Sequence, residues 1–263
     1  MIEGLVLGTI QGLTEWLPVS SKSLLILAKI RIFGEEATLT TLIREELFLH
    51  MGTFFAALCY LRKDVLIVIQ SAFNFKHADP RGRALLAFLF VSTFFSGLLG
   101  LGIYWGIGKV ETRLASTQIL TGIIGILLIV TGLVQRNKNY FGKKTAAEAR
   151  MKDAIVTGCA QGLAVIPGFS RSGFTVAALI FQGIEKEEAL RISFLMSLPA
   201  VLGGNIILNA KAAAFTTDSL IGLAVAFVTG IISMHVLLKV AHRVNFGYFV
   251  IGFGALTVLA ALI

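Results

Sequence analysis

Two short stretches of this chain concentrate side chains that do chemistry on anions. Residues 167–175 read PGFSRSGFT, so Arg171 stands between Ser170 and Ser172, with Thr175 three residues further on. The planar guanidinium fork matches phosphate oxygens, and the hydroxyls add neutral donors. Residues 11–23 read QGLTEWLPVSSKS and supply Gln11, Glu15, Ser20, Ser21, Lys22 and Ser23. Gln11 and Glu15 are four apart and share one helix face. A helix that begins just after a P-x-x-S segment aims its free N–H groups and positive dipole end at what precedes it. Gln161 stands ahead of Pro167 as Gln11 stands ahead of Pro18. Together these groups read as a cradle for a phosphate or diphosphate. Glu15 is out of place as a phosphate ligand and makes sense as a metal ligand or a proton acceptor. Two bland readings stand beside this one. Glu15 is also a natural structural ion-pair partner for Arg171, and serines in apolar helices often satisfy backbone carbonyls or help helices pack.

Both stretches are embedded in apolar sequence. The chain has 263 residues, 56% hydrophobic and 14% charged, with mean hydropathy +0.84. Soluble domains carry about 25% charged residues, so this composition predicts a multi-pass membrane protein. Six stretches read as spans: 45–61, 84–107, 116–135, 190–210, 218–241 and 246–263. The first is short, about 26 Å at the rise of an α-helix. Regions 1–30 and 154–183 do not read as spans, because proline followed by polar residues interrupts each near its middle. The N-terminus lacks the basic start of a cleavable signal peptide. Cys59 and Cys159 lie in apolar context and read as small buried residues. Ser92, Ser96 and Ser197 read as packing serines. His50 falls in a span and reads either as a packing histidine or as a site residue, whereas His77, His235 and His242 fall near loops or span ends.

The net charge of +8 fits basic loops and anionic headgroups, not nucleic acid. Loops 62–83 and 136–152 are basic and two spans apart, so they share a side, which the positive-inside rule makes the cytoplasm. Fifteen Lys and Arg then fall inside and six outside, with Lys22 and Arg171 left within the broken regions. The scheme requires each broken region to enter and leave on one face, as a re-entrant hairpin does.

The chain also repeats. GTIQGL at 8–13 matches GCAQGL at 158–163, at an offset of 150. PVSSKS at 18–23 matches PGFSRS at 167–172, at an offset of 149. REELFLHMG (44–52) and EKEEALRIS (185–193) both set paired glutamates before a span. The expected fold is therefore an all-α polytopic membrane protein of two inverted repeats. The first (1–135) holds a hairpin at 1–30 and three spans, a basic linker covers 136–153, and the second (154–263) holds a hairpin at 154–183 and three spans. Such architectures place polar sites near the bilayer midplane.

QGLTEWLPVSS, PGFSRSGFT and EELFLHMGTFFA resemble the signatures of the undecaprenyl-diphosphatase family, the bacitracin-resistance phosphatases, in order along the whole chain. The resemblance implies an enzyme of the plasma membrane that removes the terminal phosphate of a C55 polyprenyl diphosphate with a divalent cation, Mg²⁺ or Ca²⁺. That reaction recycles the lipid carrier for peptidoglycan and other envelope glycans. Glu15 then matches the family's essential glutamate and cation ligand, and Gln11 the first position of that motif. Ser20 and Ser21 match the serines after the proline, and the second motif matches in full. The resemblance assigns catalysis to Glu15, Ser21 and Arg171. With the cradle read above, diphosphate binding falls to Ser20, Ser170, Ser172, Thr175, Gln11 and Lys22, and His50 and Gln161 stay open. The nucleophile is either Ser21 or a water activated by Glu15. One position departs: the family commonly has histidine where this chain has Leu24, which leaves Lys22 and His50 as visible substitutes. The polyprenyl lipid is the expected partner, with a homodimer as a further expectation. A flippase for polyprenyl phosphate is the rival reading.

Overall fold

The computed structural model describes residues 1–17, 19–34, 38–110, 117–135, 143–166, 168–209, 216–240 and 246–261. Pro18, Pro167 and most of the linker expected at 136–153 lie outside the described residues. Eleven α-helices account for nearly all of the described chain: α1 (Ile2–Thr14), α2 (Ser21–Ile32), α3 (Leu39–Tyr60), α4 (Arg62–Phe73), α5 (Pro80–Val110), α6 (Thr117–Gln135), α7 (Met151–Leu163), α8 (Arg171–Phe181), α9 (Lys186–Asn209), α10 (Thr217–Val240) and α11 (Phe246–Ala261). Among the described residues the only β-pairing is an isolated bridge between Lys144 and Ile184. It pins the end of the basic linker to the junction of α8 and α9.

Among the described residues, three segments are long and apolar enough to cross a bilayer, within Pro80–Ile107, Lys186–Asn209 and Thr217–Lys239. Their outward faces are apolar. Phe90, Phe94 and Leu98 recur every four residues along α5 at 73%, 60% and 65% exposure. The polar residues Ser92 and Ser96 on the same helix are buried. A water-soluble protein does not expose such a stripe; a lipid-facing helix does. The same logic corrects one expectation. Cys59 is exposed and Cys159 only half-buried, because in a membrane helix an apolar neighbourhood marks the outer face as readily as the core.

Two further differences concern boundaries. The basic segment 62–83 is not only a loop but contains α4, whose Asp64 is buried and pairs with Arg81 on α5 (3.5 Å) and Arg191 on α9 (3.3 Å). Arg81 and Arg191 in turn reach Glu188 and Glu187, at 3.2 and 3.5 Å. The α3 helix begins at Leu39, several residues before the expected span, so Arg44, Glu45 and Glu46 are helical.

Each interrupted region folds as two short helices. The first members, α1 and α7, have 13 residues each; the second, α2 and α8, have 12 and 11. At 1.5 Å per residue these are about 16–20 Å long, too short for a hydrocarbon core of about 30 Å.

Packing interleaves the two halves of the chain. The α1 helix lies along α10, α7 along α5, α3 against α9, and α6 against α11. Exchanging the halves returns the same pairings. Small residues allow the close approach. Gly4, Gly8 and Gly12 form one stripe on α1 against α10, where a Cβ on Gly8 would stand 2.9 Å from the Cα of Gly222. Gly158 and Gly162 form the equivalent stripe on α7, where a Cβ on Gly162 would stand 2.9 Å from the Cβ of Leu99 on α5. The repeated G-x-x-x-G of GTIQGL and GCAQGL is thus a packing device, with its glutamine turned to the interior: Gln11 and Gln161 are both buried.

Candidate active site

The second helix of each pair starts with a serine cap. Ser20 accepts from the Ser23 N–H at 3.3 Å and Ser170 from the Gly173 N–H at 3.1 Å. These caps satisfy donors that a helix start leaves free. They also set the structural register of the repeat: Ser20 corresponds to Ser170, an offset of 150, the same as between Gln11 and Gln161. The one-residue gap of the sequence match disappears, and the first helical residues, Ser21 and Arg171, become equivalent positions.

Both converge on one carboxylate. Arg171 Nη2 donates to Glu15 Oε1 at 2.7 Å and Ser21 Oγ donates to Glu15 Oε2 at 2.9 Å. Gln11 Nε2 donates to the same Oε2 at 3.0 Å, and His50 Nε2 lies 3.0 Å from it. Glu15 is 6% exposed, so this buried charge is matched by an ion pair and three polar contacts, as burial demands. Arg171 is held on its other side, with Nη1 donating to the Ser193 carbonyl at 2.8 Å and its guanidinium 5.8 Å from the Trp16 ring centre. Trp16 is itself fixed by its indole N–H on the Gly230 carbonyl (2.9 Å) and by an edge contact with Phe194. The expected structural ion pair between Glu15 and Arg171 is therefore present, and it sits beside a hydroxyl and an imidazole.

The remaining predicted residues are placed around this centre. Ser172 Oγ donates to the Leu17 carbonyl at 2.8 Å, and Ser23 Oγ accepts from the Gly168 N–H at 2.6 Å, so each pair is stitched to the bend of the other. Gly168 has φ 103°, a backbone conformation that requires glycine. Thr175 Oγ1 bonds Ser193 Oγ at 2.6 Å and the Arg171 carbonyl at 2.8 Å. Lys22 Nζ donates to the Ala164 carbonyl at 3.0 Å and Gln161 Nε2 to Ser96 Oγ at 3.2 Å, so neither touches Glu15. Leu24 lines an apolar trough of about 420 Å³ with Ile10, Leu13, Leu27 and Ala28. Sequence reasoning left His50 open and did not single out Trp16, Thr53, Glu46 or Ser193. Thr53 Oγ1 accepts from Gln11 at 3.2 Å. Trp16, Glu46, Thr53 and Ser193 all lie in the stretches quoted above, but no pattern in those stretches gave them a role.

A divalent cation needs oxygen ligands, six or more for Mg²⁺ or Ca²⁺. Among the described residues no group of three His, Cys, Asp or Glu is placed to hold one, and Glu15 already accepts from several donors. This donor set fits a cation only as one held jointly by Glu15 and by phosphate oxygens brought by a ligand.

Apolar outward faces, two pairs of short helices and a buried carboxylate gripped from both mark a membrane protein with a polar centre in its interior. Residues 4–259 match the family model described as bacitracin resistance protein BacA, and the chain belongs to that family. It is 38% identical to an undecaprenyl-diphosphatase of Methanococcoides burtonii, over 98% of this chain and 97% of the relative. It is 35% identical to one of Methanothrix thermoacetophila (97% and 95%) and 33% identical to one of Haloarcula marismortui (100% and 98%).

Proposed function

We propose that this chain is a phosphatase that hydrolyses undecaprenyl diphosphate, or a polyprenyl diphosphate of other length, to the monophosphate and phosphate. The product is the recycled carrier lipid of envelope glycan synthesis. The observation that carries the reading is the Glu15 carboxylate shared by Arg171 and Ser21 at the starts of two capped helices. The full-length likeness to proteins named undecaprenyl-diphosphatase supports it. Flipping a lipid phosphate needs cationic groups, whereas a carboxylate set against a hydroxyl also supplies the proton acceptor that hydrolysis requires.

In this reading the terminal phosphate takes Arg171 away from Glu15, because the guanidinium fork serves a dianion better than one carboxylate oxygen. Freed of Arg171, Glu15 accepts the proton of the attacking O–H, which belongs to Ser21 or to water. Ser20, Ser170, Ser172, Thr175, Gln11 and Lys22 hold the two helix starts and present donors to the diphosphate. A Mg²⁺ or Ca²⁺ held by Glu15 and the substrate's own oxygens supplies neutralisation of phosphate charge when bound. The apolar trough beside Leu24 accommodates part of the polyprenyl tail.

The short helices α1–α2 and α7–α8 are read as two re-entrant hairpins, the long helices as six spans, and the halves as inverted repeats in the plasma membrane. The exchange-symmetric packing and the charge bias of the loops support this.

Phosphate release by the purified protein tests the reading, with undecaprenyl and farnesyl diphosphates and with Mg²⁺ or a chelator. Cation-dependent release from both is expected, faster from the longer tail. Translocation of polyprenyl phosphate in vesicles without any phosphate release would establish the flippase instead.

A further inference from the structure

Trp16 sits where the polar centre meets the apolar core. It is 1% exposed and directly follows Glu15 at the end of α1. These two neighbours meet the Arg171 guanidinium on different sides. Glu15 takes its edge, at Nη2, and Trp16 takes its face, with Cζ 5.8 Å from the ring centre. A cation within about 6 Å of an indole centre is attracted by the negative face of the ring. The second edge nitrogen, Nη1, rests on the Ser193 carbonyl at 2.8 Å. Of these three holders only Glu15 is an anion, so only Glu15 competes directly with an incoming phosphate. The ring itself is fixed at two points. Its N–H donates to the Gly230 carbonyl on α10 at 2.9 Å, and its edge meets Phe194 with ring centres 5.0 Å apart. The Gly230 backbone comes this close because Gly12 lacks a side chain: a Cβ there would stand 2.7 Å from the Gly230 N. Phe194 follows Ser193 on α9, so one stretch of that helix sets both the carbonyl at Nη1 and the wall beside Trp16. Packing alone asks a core tryptophan only to fill space; this one is also held in orientation, with its face to Arg171.

We propose that Trp16 is a positioning residue for Arg171, whose ring face keeps the guanidinium in place when Glu15 gives it up to the terminal phosphate. The proposal rests on the phosphatase reading. Before substrate arrives, Glu15 neutralises Arg171, whose side chain is 13% exposed. Removing the partner of a buried cation is costly and invites the side chain to move. The ring face and the Ser193 carbonyl oppose that movement, because neither is displaced by phosphate. Nη2 then exchanges one oxygen partner for another while Nη1 and the face of the fork keep theirs. The phosphate is thereby received at a fixed place relative to Glu15 and Ser21. Without the ring, the guanidinium still follows the phosphate charge but no longer fixes its orientation. Loose orientation weakens the transition state more than it weakens binding, so the effect falls on kcat more than on KM.

The chain has two tryptophans, and the other, Trp105, is 61% exposed. Full-length Trp105→Phe protein can therefore carry mono- to tetrafluorinated tryptophan at position 16 alone. Fluorine draws electron density from the ring face, which weakens its hold on a cation, while ring shape and the N–H are kept. The measurements are phosphate release from undecaprenyl diphosphate and thermal unfolding in detergent. Across the series kcat should fall stepwise, about tenfold in all, with KM and the unfolding temperature nearly unchanged. Trp16→Phe, which keeps a ring face, should retain more kcat than Trp16→Leu, which keeps none. A kcat that does not respond to fluorine would overturn the proposal, and so would a fall that only tracks a loss of thermal stability. If the most fluorinated protein fails to fold, a flat kcat over the remaining members overturns it equally. Absence of phosphate release from the unlabelled wild type would instead remove the phosphatase reading on which the role of Trp16 rests.

Discussion

At the scale of single residues, the account depends on geometry more than on charge. Arg171 spends one nitrogen on Glu15 and the other on the Ser193 carbonyl. Arg171→Lys keeps the charge but has no fork to span both positions or two phosphate oxygens. Its kcat/KM for undecaprenyl diphosphate should fall about 10²-fold or more, and steady-state phosphate release checks this. Turnover near wild type would mean that Arg171 does not contact phosphate. Glu15, Ser21 and Arg171 were legible in the sequence because an ionisable or bidentate side chain in an apolar stretch has few structural excuses. His50 was half legible, since one histidine on a helix looks the same whether it packs or reacts. Ser193, Trp16 and Thr53 were not legible: they enter through helix pairings far apart in the chain, which no local pattern encodes. Ser20 and Ser170 illustrate a degeneracy, because a hydroxyl that caps a helix and one that binds a phosphate occupy the same motif position.

At the scale of elements, the glycine stripes decide whether the helices that carry the site can meet. A Cβ at Gly158 would stand 2.9 Å from the Cα of Ser92 on α5, whereas one at Gly97, on α5 itself, would meet nothing within 4 Å. Gly158→Leu should therefore lower the unfolding free energy by about 3 kcal/mol through overpacking and depress phosphate release. Gly97→Leu should be neutral or slightly stabilising, since it replaces a poor helix former. Thermal unfolding of both variants in detergent, beside wild type, separates packing from composition. The duplication of GTIQGL and GCAQGL was visible in sequence, but its meaning was not. Each stripe packs on a helix of the other half, a tertiary fact, and only the serine caps brought the second block to the offset of 150. The α4 helix was missed for a different reason: its charges read as a loop until Asp64 found Arg81 and Arg191 across the fold.

At the scale of the whole molecule, the charge pattern predicts which side faces the cytoplasm. With Cys59 and Cys159 replaced, Lys143→Cys should react with a membrane-impermeant thiol reagent only after the membrane is opened, and Thr216→Cys from outside intact cells. The reverse pattern would invert the orientation while leaving the site unchanged. The all-helical, membrane-embedded character was legible throughout, because composition alone enforces it; which half packs on which was not. The central claim joins the two halves of the chain at one carboxylate, and Glu15→Gln interrogates it most directly. Glutamine preserves size and hydrogen bonding to Ser21 and Arg171 while removing the proton acceptor. Phosphorus-31 NMR of the purified protein with undecaprenyl diphosphate should show equal amounts of undecaprenyl phosphate and inorganic phosphate accumulating with wild type. With Glu15→Gln the rate should fall by about 10³-fold. Equal rates for the two proteins would contradict a catalytic centre at Glu15.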